Sequence, residues 1–253
     1  MFIEFFIPFL YSFKTRFKRN IKLISWCLIY IVPLTFIAYI YSGSHGIIIT
    51  CINITLVYTV YEIGYIFNDV YTIKKESQPT LRLSLLERQY CESNLFFILL
   101  IRIIISTILI LFLYYLDFNY IYSLIVASLI LLTYIIYNSI RNIGNLFLHF
   151  ILVNLRYTAV VIPFLNHSLE ILIVVLLFPL INLIERASEK RFHLPFFQNC
   201  FLANKSSGRY TYYFLLSLIL LLSFGLQYKL LWVSCYYFCF RFFSVFILRN
   251  SDE

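Results

Sequence analysis

Hydrophobic positions along the chain fall into eight long runs separated by polar connections. The runs cover about residues 23–41, 46–66, 95–116, 118–137, 143–164, 169–184, 211–227 and 230–248. Each run approaches the roughly 20 residues that a helix needs to cross a bilayer. The pattern predicts an all-α protein, a polytopic transmembrane bundle of about eight helices. We expect one integral membrane domain over residues 1–253, with an interfacial, basic segment at residues 1–21.

Composition supports the bilayer as the main solvent of this chain. Hydrophobic residues make up 62% of the sequence, charged residues only 13%, and the mean hydropathy is +0.86. A chain with so little polar surface cannot cover a soluble globule. We therefore expect a multi-pass membrane protein, located in a bacterial cytoplasmic membrane.

The basic residues predict the orientation of the bundle. If the two long connections, residues 67–94 and 185–210, face the cytoplasm, then sixteen lysines and arginines outside the runs lie inside and only Lys229 lies outside. The positive-inside rule then places both termini in the cytoplasm. Membrane topology accounts for the net charge of +8, so no nucleic-acid partner is needed.

Each long cytoplasmic connection begins with acidic residues. Asn68, Asp69 and Glu76 follow the second run, and Glu185 and Glu189 follow the sixth. If helical spacing continues, the carboxylates of each cluster share one face. Cations flank both clusters: Lys74, Lys75 and Arg82 in the first, and Arg186, Lys190 and Arg191 in the second.

Carboxylates beside cations are typical of a diphosphate site that contains Mg²⁺. The hard cation takes oxygen ligands from the carboxylates and from the phosphate, and the lysines and arginines neutralise the remaining charge. The alternative is that these side chains are ordinary solvated loop charges that form local ion pairs. Two such clusters on one side of the membrane, in a chain with only 12 acidic residues, favour the site.

Several segments resemble the UbiA superfamily of intramembrane prenyltransferases. "GYIFND" at 64–69, an acidic residue eight positions after the Asn, and "PTLR" at 79–82 are similar to the first aspartate-rich motif of that family. "ERASE" at 185–189 is similar to the second motif. "YIIYNSIRN" at 134–142 is weakly similar to a Tyr-Ser…Leu-Lys segment after the fourth helix. The segments also occur in the same order as in that family, and this resemblance in order extends over most of the chain.

The sequence also departs from the family pattern. Thr72 stands where the family has its middle aspartate, and Glu76 replaces the last aspartate. The arginine segment comes about three residues early, and a ninth apolar run is not evident. The missing aspartate keeps open a possibility of another class, a non-catalytic transporter or an inactive relative.

The resemblance implies a UbiA-like bundle that joins a polyprenyl lipid to a diphosphate-bearing second substrate and releases pyrophosphate. Mg²⁺ is the implied cofactor, and its implied ligands, which also form the catalytic group, are Asp69, Glu76, Glu185 and Glu189. The positions expected to bind substrate are Asn68, Lys74, Arg82, Tyr137, Arg141, Arg156, Lys190, Arg191 and Glu62.

Two donors fit the implied chemistry. Phosphoribosyl pyrophosphate would transfer its sugar to a polyprenyl phosphate, whereas a prenyl diphosphate would alkylate an aromatic or quinone-type acceptor. Both reactions need the same diphosphate site. The many cytoplasmic cations favour the multiply phosphorylated sugar donor slightly, although topology alone would also produce them.

Three further positions carry geometric expectations. Glu62 and Arg156 lie inside apolar runs, and intramembrane charges face a cavity or a partner, so the two either line the site or pair with each other. Pro79 ends any helix that continues past Glu76. The turn that follows is expected to bring Arg82 over the face that carries Asp69.

Overall fold

The computed structural model describes residues 2–17, 20–75, 80–140, 143–200, 204 and 207–251, and these residues contain helices but no β-strand. The α-helices in chain order are α1 Leu10–Thr15, α2 Asn20–Trp26, α3 Val32–Val70, α4 Leu85–Tyr115, α5 Tyr120–Ser139, α6 Gly144–Val161, α7 Ser168–Val175, α8 Ile181–Ala187, α9 Pro195–Gln198, α10 Ser207–Phe224 and α11 Lys229–Ser251. Short π-helical segments join α2 to α3 (Cys27–Ile31) and α7 to α8 (Leu176–Leu180).

Five helical segments in the described part of the chain are long and apolar enough to cross a membrane. They are Asn20–Lys74, Leu85–Tyr115, Tyr120–Ser139, Gly144–Phe164 and Ser168–Ala187. The described residues are therefore all-helical, as hydropathy predicts, and their long apolar helices fit a multi-pass membrane protein.

The first of these segments reverses direction at Gly43. That residue has φ 62° and ψ −152°, a conformation outside the helical region that glycine adopts at little cost. The chain before and after it packs side by side, since the Trp26 indole donates a hydrogen bond to the Tyr58 hydroxyl at 2.5 Å. Ala38 and Gly46 meet at the reversal, where a Cβ on Gly46 would lie 2.5 Å from the Ala38 carbonyl oxygen.

Helix α4 begins ten residues before the start expected from hydropathy. Ser84 and Glu87 form a capping box, in which the Ser84 hydroxyl accepts from the Glu87 amide and the Glu87 carboxylate accepts from the Ser84 amide at 2.7 Å. This arrangement satisfies amides that otherwise lack partners at a helix start. The expected loop 67–94 is therefore helical from Leu85 onward.

The acidic clusters do not lie on continued helices as expected. Helix α3 ends at Val70 and is followed by a short 3₁₀ turn, Thr72–Lys75. Helix α8 ends at Ala187, and Glu189 has an extended backbone conformation with ψ 133°. Glu185 and Glu189 therefore do not share a helical face.

The N-terminal segment packs inside the bundle, against α3 and α4. Phe5, Tyr11 and Ser12 are fully buried. Glu62 of α3 and Arg102 of α4 form an ion pair beside this segment, with 3.0 Å between Glu62 Oε2 and Arg102 Nη2. Both side chains are fully buried. Burial of these side chains places the segment within the protein and beside the C-terminal end of α3.

Candidate functional site

An arginine-lined cavity of about 360 Å³ lies among the N-terminal segment, α3, α5, α6 and α8. The residues that line it are Arg16, Tyr61, Tyr65, Asn68, Thr80, Arg82, Tyr134, Tyr137, Asn138, His149, Leu152, Arg156, Arg186 and Arg191. Five of these residues are arginines, and none of them is an aspartate or a glutamate. We call this space the arginine cavity.

Asp69 lies at the end of α3 and organises one side of the arginine cavity. Its carboxylate accepts a hydrogen bond from the Tyr11 hydroxyl at 2.8 Å. It also pairs with two guanidinium groups, Arg16 Nη2 at 3.0 Å and Arg82 Nη1 at 3.0 Å. Asp69 therefore joins the N-terminal segment, α3 and the chain before α4, and the structure places Arg82 against it as the sequence suggested.

The charge state of this cluster follows from its burial. Burial and the neighbouring Asp69 carboxylate raise the pKa of the Tyr11 phenol well above its usual value, so Tyr11 remains a donor. Burial opposes the charged form of Arg16, but the attraction of Asp69 outweighs it and raises the pKa of Arg16. Within this cluster, Tyr11 therefore stays a neutral phenol and Arg16 stays a cation.

Arg156 is the deepest cation of the arginine cavity. It lies twelve residues after the start of α6, about 18 Å along the helix at 1.5 Å per residue. Three tyrosine rings surround its guanidinium carbon, at 4.9 Å for Tyr157, 5.3 Å for Tyr61 and 5.8 Å for Tyr30. Its guanidinium forms no ion pair with any described residue, and its buried Nε has no acceptor there. The rings offset part of the charge but supply no hydrogen-bond acceptor in this geometry.

Arg186 and Arg191 form the side of the arginine cavity near the end of α8. Arg186 Nη2 donates to the Tyr137 hydroxyl at 3.0 Å, and its Nε has no acceptor within the described residues. Arg191 pairs with Glu189 at 2.8 Å, where both side chains are partly exposed. Tyr137 and Arg191 were expected at the site from sequence, and both line the cavity.

Other predicted site residues lie elsewhere. Lys74 pairs with Glu92 at 2.5 Å, on an exposed surface, and Lys190 is exposed. Glu185 binds Arg209 of α10 through both carboxylate oxygens. None of these side chains lines the arginine cavity. Glu76 and Arg141 lie outside the described residues.

Glu62 and Arg156 do not pair with each other. Glu62 binds Arg102, and its second oxygen accepts from the Ser12 amide at 2.7 Å. Arg102 also donates to the Phe5 and Thr59 carbonyl oxygens. Glu62 therefore holds the N-terminal segment in place, whereas Arg156 faces the arginine cavity.

The described carboxylates do not form a magnesium site. Each one expected to bind the metal is already held by arginine: Asp69 by Arg16 and Arg82, Glu185 by Arg209, and Glu189 by Arg191. No three metal-ligating side chains cluster anywhere in the described ranges. Magnesium binding stays a prediction that depends on Glu76 or on exchange of these ion pairs.

An apolar groove adjoins the arginine cavity. It has a volume of about 530 Å³ and lies between α3, α4 and α5. Tyr134 and Asn138 line both spaces. Gly64 allows this arrangement, because a Cβ there would lie 2.3 Å from the Tyr134 ring. A cationic cavity and an apolar groove thus meet at one side-chain wall.

Sequence reasoning missed most of the tyrosines and Arg16. Tyr58, Tyr61 and Tyr65 recur at intervals of three and four residues before Asp69, so they share one face of α3. That spacing could have assigned Tyr61 and Tyr65 to the site. Arg16 and His149 gave no comparable signal, since their approach depends on tertiary packing.

Comparisons with protein-family models, with curated proteins and with solved structures gave no match.

Proposed function

We propose that this protein is a membrane transferase of the UbiA type, which joins a polyprenyl lipid to a second substrate with release of pyrophosphate. Helices α10 and α11 complete an eight-span bundle in this proposal, and both termini lie in the cytoplasm. The residue resemblance suggests the reaction class. The site geometry supports an amphiphilic, phosphate-bearing substrate.

The observation that carries the proposal is the contact between the arginine cavity and the apolar groove. A polyprenyl phosphate or diphosphate has one highly anionic end and one long apolar chain. The guanidinium groups offer planar, paired donors that match phosphate oxygens. The groove need hold only the part of the tail next to the head group, because the bilayer surrounds the rest of the chain.

The arginines give the site a role in catalysis as well as in binding. As pyrophosphate leaves, negative charge grows on its oxygens. Donors fixed in a cavity with little water stabilise that charge more in the transition state than in the ground state. Arg82 and Arg186 are suited to this role, since both are half-buried residues that line the cavity.

Phosphoribosyl pyrophosphate is the preferred donor, with polyprenyl phosphate as acceptor. Five arginines around one cavity suit the larger phosphate charge of that substrate pair. Prenylation of an aromatic or quinone-type acceptor is the alternative within the same class. A non-catalytic carrier of a phosphorylated lipid is the alternative outside it.

Pyrophosphate release distinguishes these functions. The purified protein in lipid nanodiscs is incubated with polyprenyl phosphate and phosphoribosyl pyrophosphate, or with a prenyl diphosphate and an aromatic acceptor, each with and without Mg²⁺. We expect release only when both substrates of one pair are present. Binding without release from either pair would contradict the transferase and favour the carrier.

A further inference from the structure

Among the residues that the structure describes, the arginine cavity has more arginines than carboxylates that pair with them. Two carboxylates reach its five arginines: Asp69 pairs with Arg16 and Arg82, and Glu189 pairs with Arg191. Arg156 and Arg186 form no ion pair with any residue in the described ranges. Counted over these residues alone, the five arginines exceed the two carboxylates by three charges.

This surplus is costly because part of it is buried. An unpaired charge within a membrane bundle is unfavourable unless a counter-ion or water compensates it. Arg156 lies well inside α6, and buried nitrogens of Arg16, Arg156 and Arg186 lack acceptors among the described residues. A bound anion of high charge would compensate these groups and supply the acceptors that they lack.

The arrangement of the carboxylates indicates how that anion is held. A metal clamp needs carboxylate oxygens that are free to bind the cation, but both oxygens of Asp69 are bound by arginine or tyrosine. Glu185 binds Arg209 and does not line the cavity. The polar side chains that line the space carry guanidinium, phenol, amide, hydroxyl and imidazole groups, and none of them is a carboxylate.

We propose that the arginine cavity binds a diphosphate group directly through arginine, and that this binding requires no divalent cation. Arg156 and Arg186 are the principal ligands, with Arg82 and Arg16 as shared donors that remain paired with Asp69. Tyr61 and Tyr137 fix the orientation of the two unpaired guanidinium groups. The inference rests on the proposed function only in taking a phosphate-bearing ligand.

Calorimetric titration with inorganic pyrophosphate tests the proposal on the full chain in detergent. We expect the dissociation constant in EDTA to agree within about threefold with that in Mg²⁺. Arg156→Gln should weaken binding at least tenfold. Arg241→Gln is the matched control, because Arg241 is also a helix arginine with an unpaired Nε but lies outside the arginine cavity.

A thermal unfolding measurement without ligand accompanies the titration. Removing an uncompensated charge should leave the melting temperature of Arg156→Gln equal to or above that of the parent, so lost binding would not reflect lost folding. Binding that occurs only with Mg²⁺ would overturn the inference and leave the proposed transferase standing. Equal pyrophosphate affinity for Arg156→Gln and the parent would overturn it as well. Metal-independent binding without pyrophosphate release in the substrate assay would uphold the inference and reject the transferase.

Discussion

Asp69 shows at the scale of one residue how the structure changes the meaning of a motif. The Asn-Asp pair suggested a metal ligand, but in the fold the carboxylate lies between Arg16 and Arg82 and accepts from Tyr11. Both oxygens are thus occupied. Asp69 spaces two cations that would otherwise repel each other at the cavity wall.

Asp69→Asn separates the two roles of this residue. Loss of the charge leaves Arg16 and Arg82 unpaired, so we expect the free energy of unfolding to fall by roughly 3 kcal/mol, as for a broken buried pair. Pyrophosphate affinity in EDTA should stay equal or rise, because the cavity gains positive charge. Chemical unfolding and calorimetry on the variant measure the two effects. Loss of a Mg²⁺-dependent part of pyrophosphate binding in a folded variant, with the binding in EDTA unchanged, would instead indicate a metal ligand.

Substitution of Arg82 tests whether the planar guanidinium group is needed or whether a positive charge at this position is enough. Arg82→Lys keeps the positive charge but loses the planar guanidinium group, whose several donors could bind Asp69 and a phosphate at the same time. We expect turnover to fall at least about tenfold, equal to roughly 1.4 kcal/mol of transition-state stabilisation, at nearly unchanged thermal stability. Steady-state pyrophosphate release measures it. Arg88→Lys is the control in the same helix-start region, and equal rates for the two variants would remove Arg82 from the site.

At the scale of elements, the Glu62–Arg102 pair ties the N-terminal segment to α3 and α4. Both side chains are fully buried, and each also binds the backbone of that segment, at Ser12 and Phe5. The segment in turn supplies Arg16 to the arginine cavity. A structural pair outside the cavity therefore sets one of its walls.

Glu62→Gln removes the ion pair with Arg102 without changing a side chain that lines the arginine cavity. We expect a loss of roughly 3–5 kcal/mol in the free energy of unfolding, because Arg102 is left as a buried, unpaired charge. Proteolysis should also reach the first sixteen residues faster. Glu92→Gln removes an exposed pair with Lys74 and should cost at most about 1 kcal/mol. Similar losses for both variants would show that the buried pair has no special structural role.

At the scale of the whole molecule, hydropathy located the helices better than their ends. Each of the eight apolar runs is helical over most of its described residues, since a helix satisfies all backbone hydrogen bonds of one apolar segment within that segment. The start of α4 was placed ten residues late because hydropathy does not register a capping box, although Ser84 and Glu87 carry its sequence signature.

The site was less predictable than the fold. Asn68, Arg82, Tyr137, Arg156 and Arg191 were named from sequence, and all of them line the arginine cavity. The partners of the site carboxylates were not predicted from sequence, because an ion pair such as that of Glu185 with Arg209 depends on contacts between helices far apart in the chain. Local spacing cannot tell a carboxylate that is free for a metal from one that a distant arginine already binds.

An experimental structure with a non-hydrolysable prenyl diphosphate analogue in EDTA tests the central claim most directly. The account predicts phosphate density within hydrogen-bond distance of Arg156 and Arg186, with the start of the tail passing Tyr134 toward the apolar groove between α3 and α5. Head-group density beside Glu185 and Arg209, with an empty arginine cavity, would contradict it.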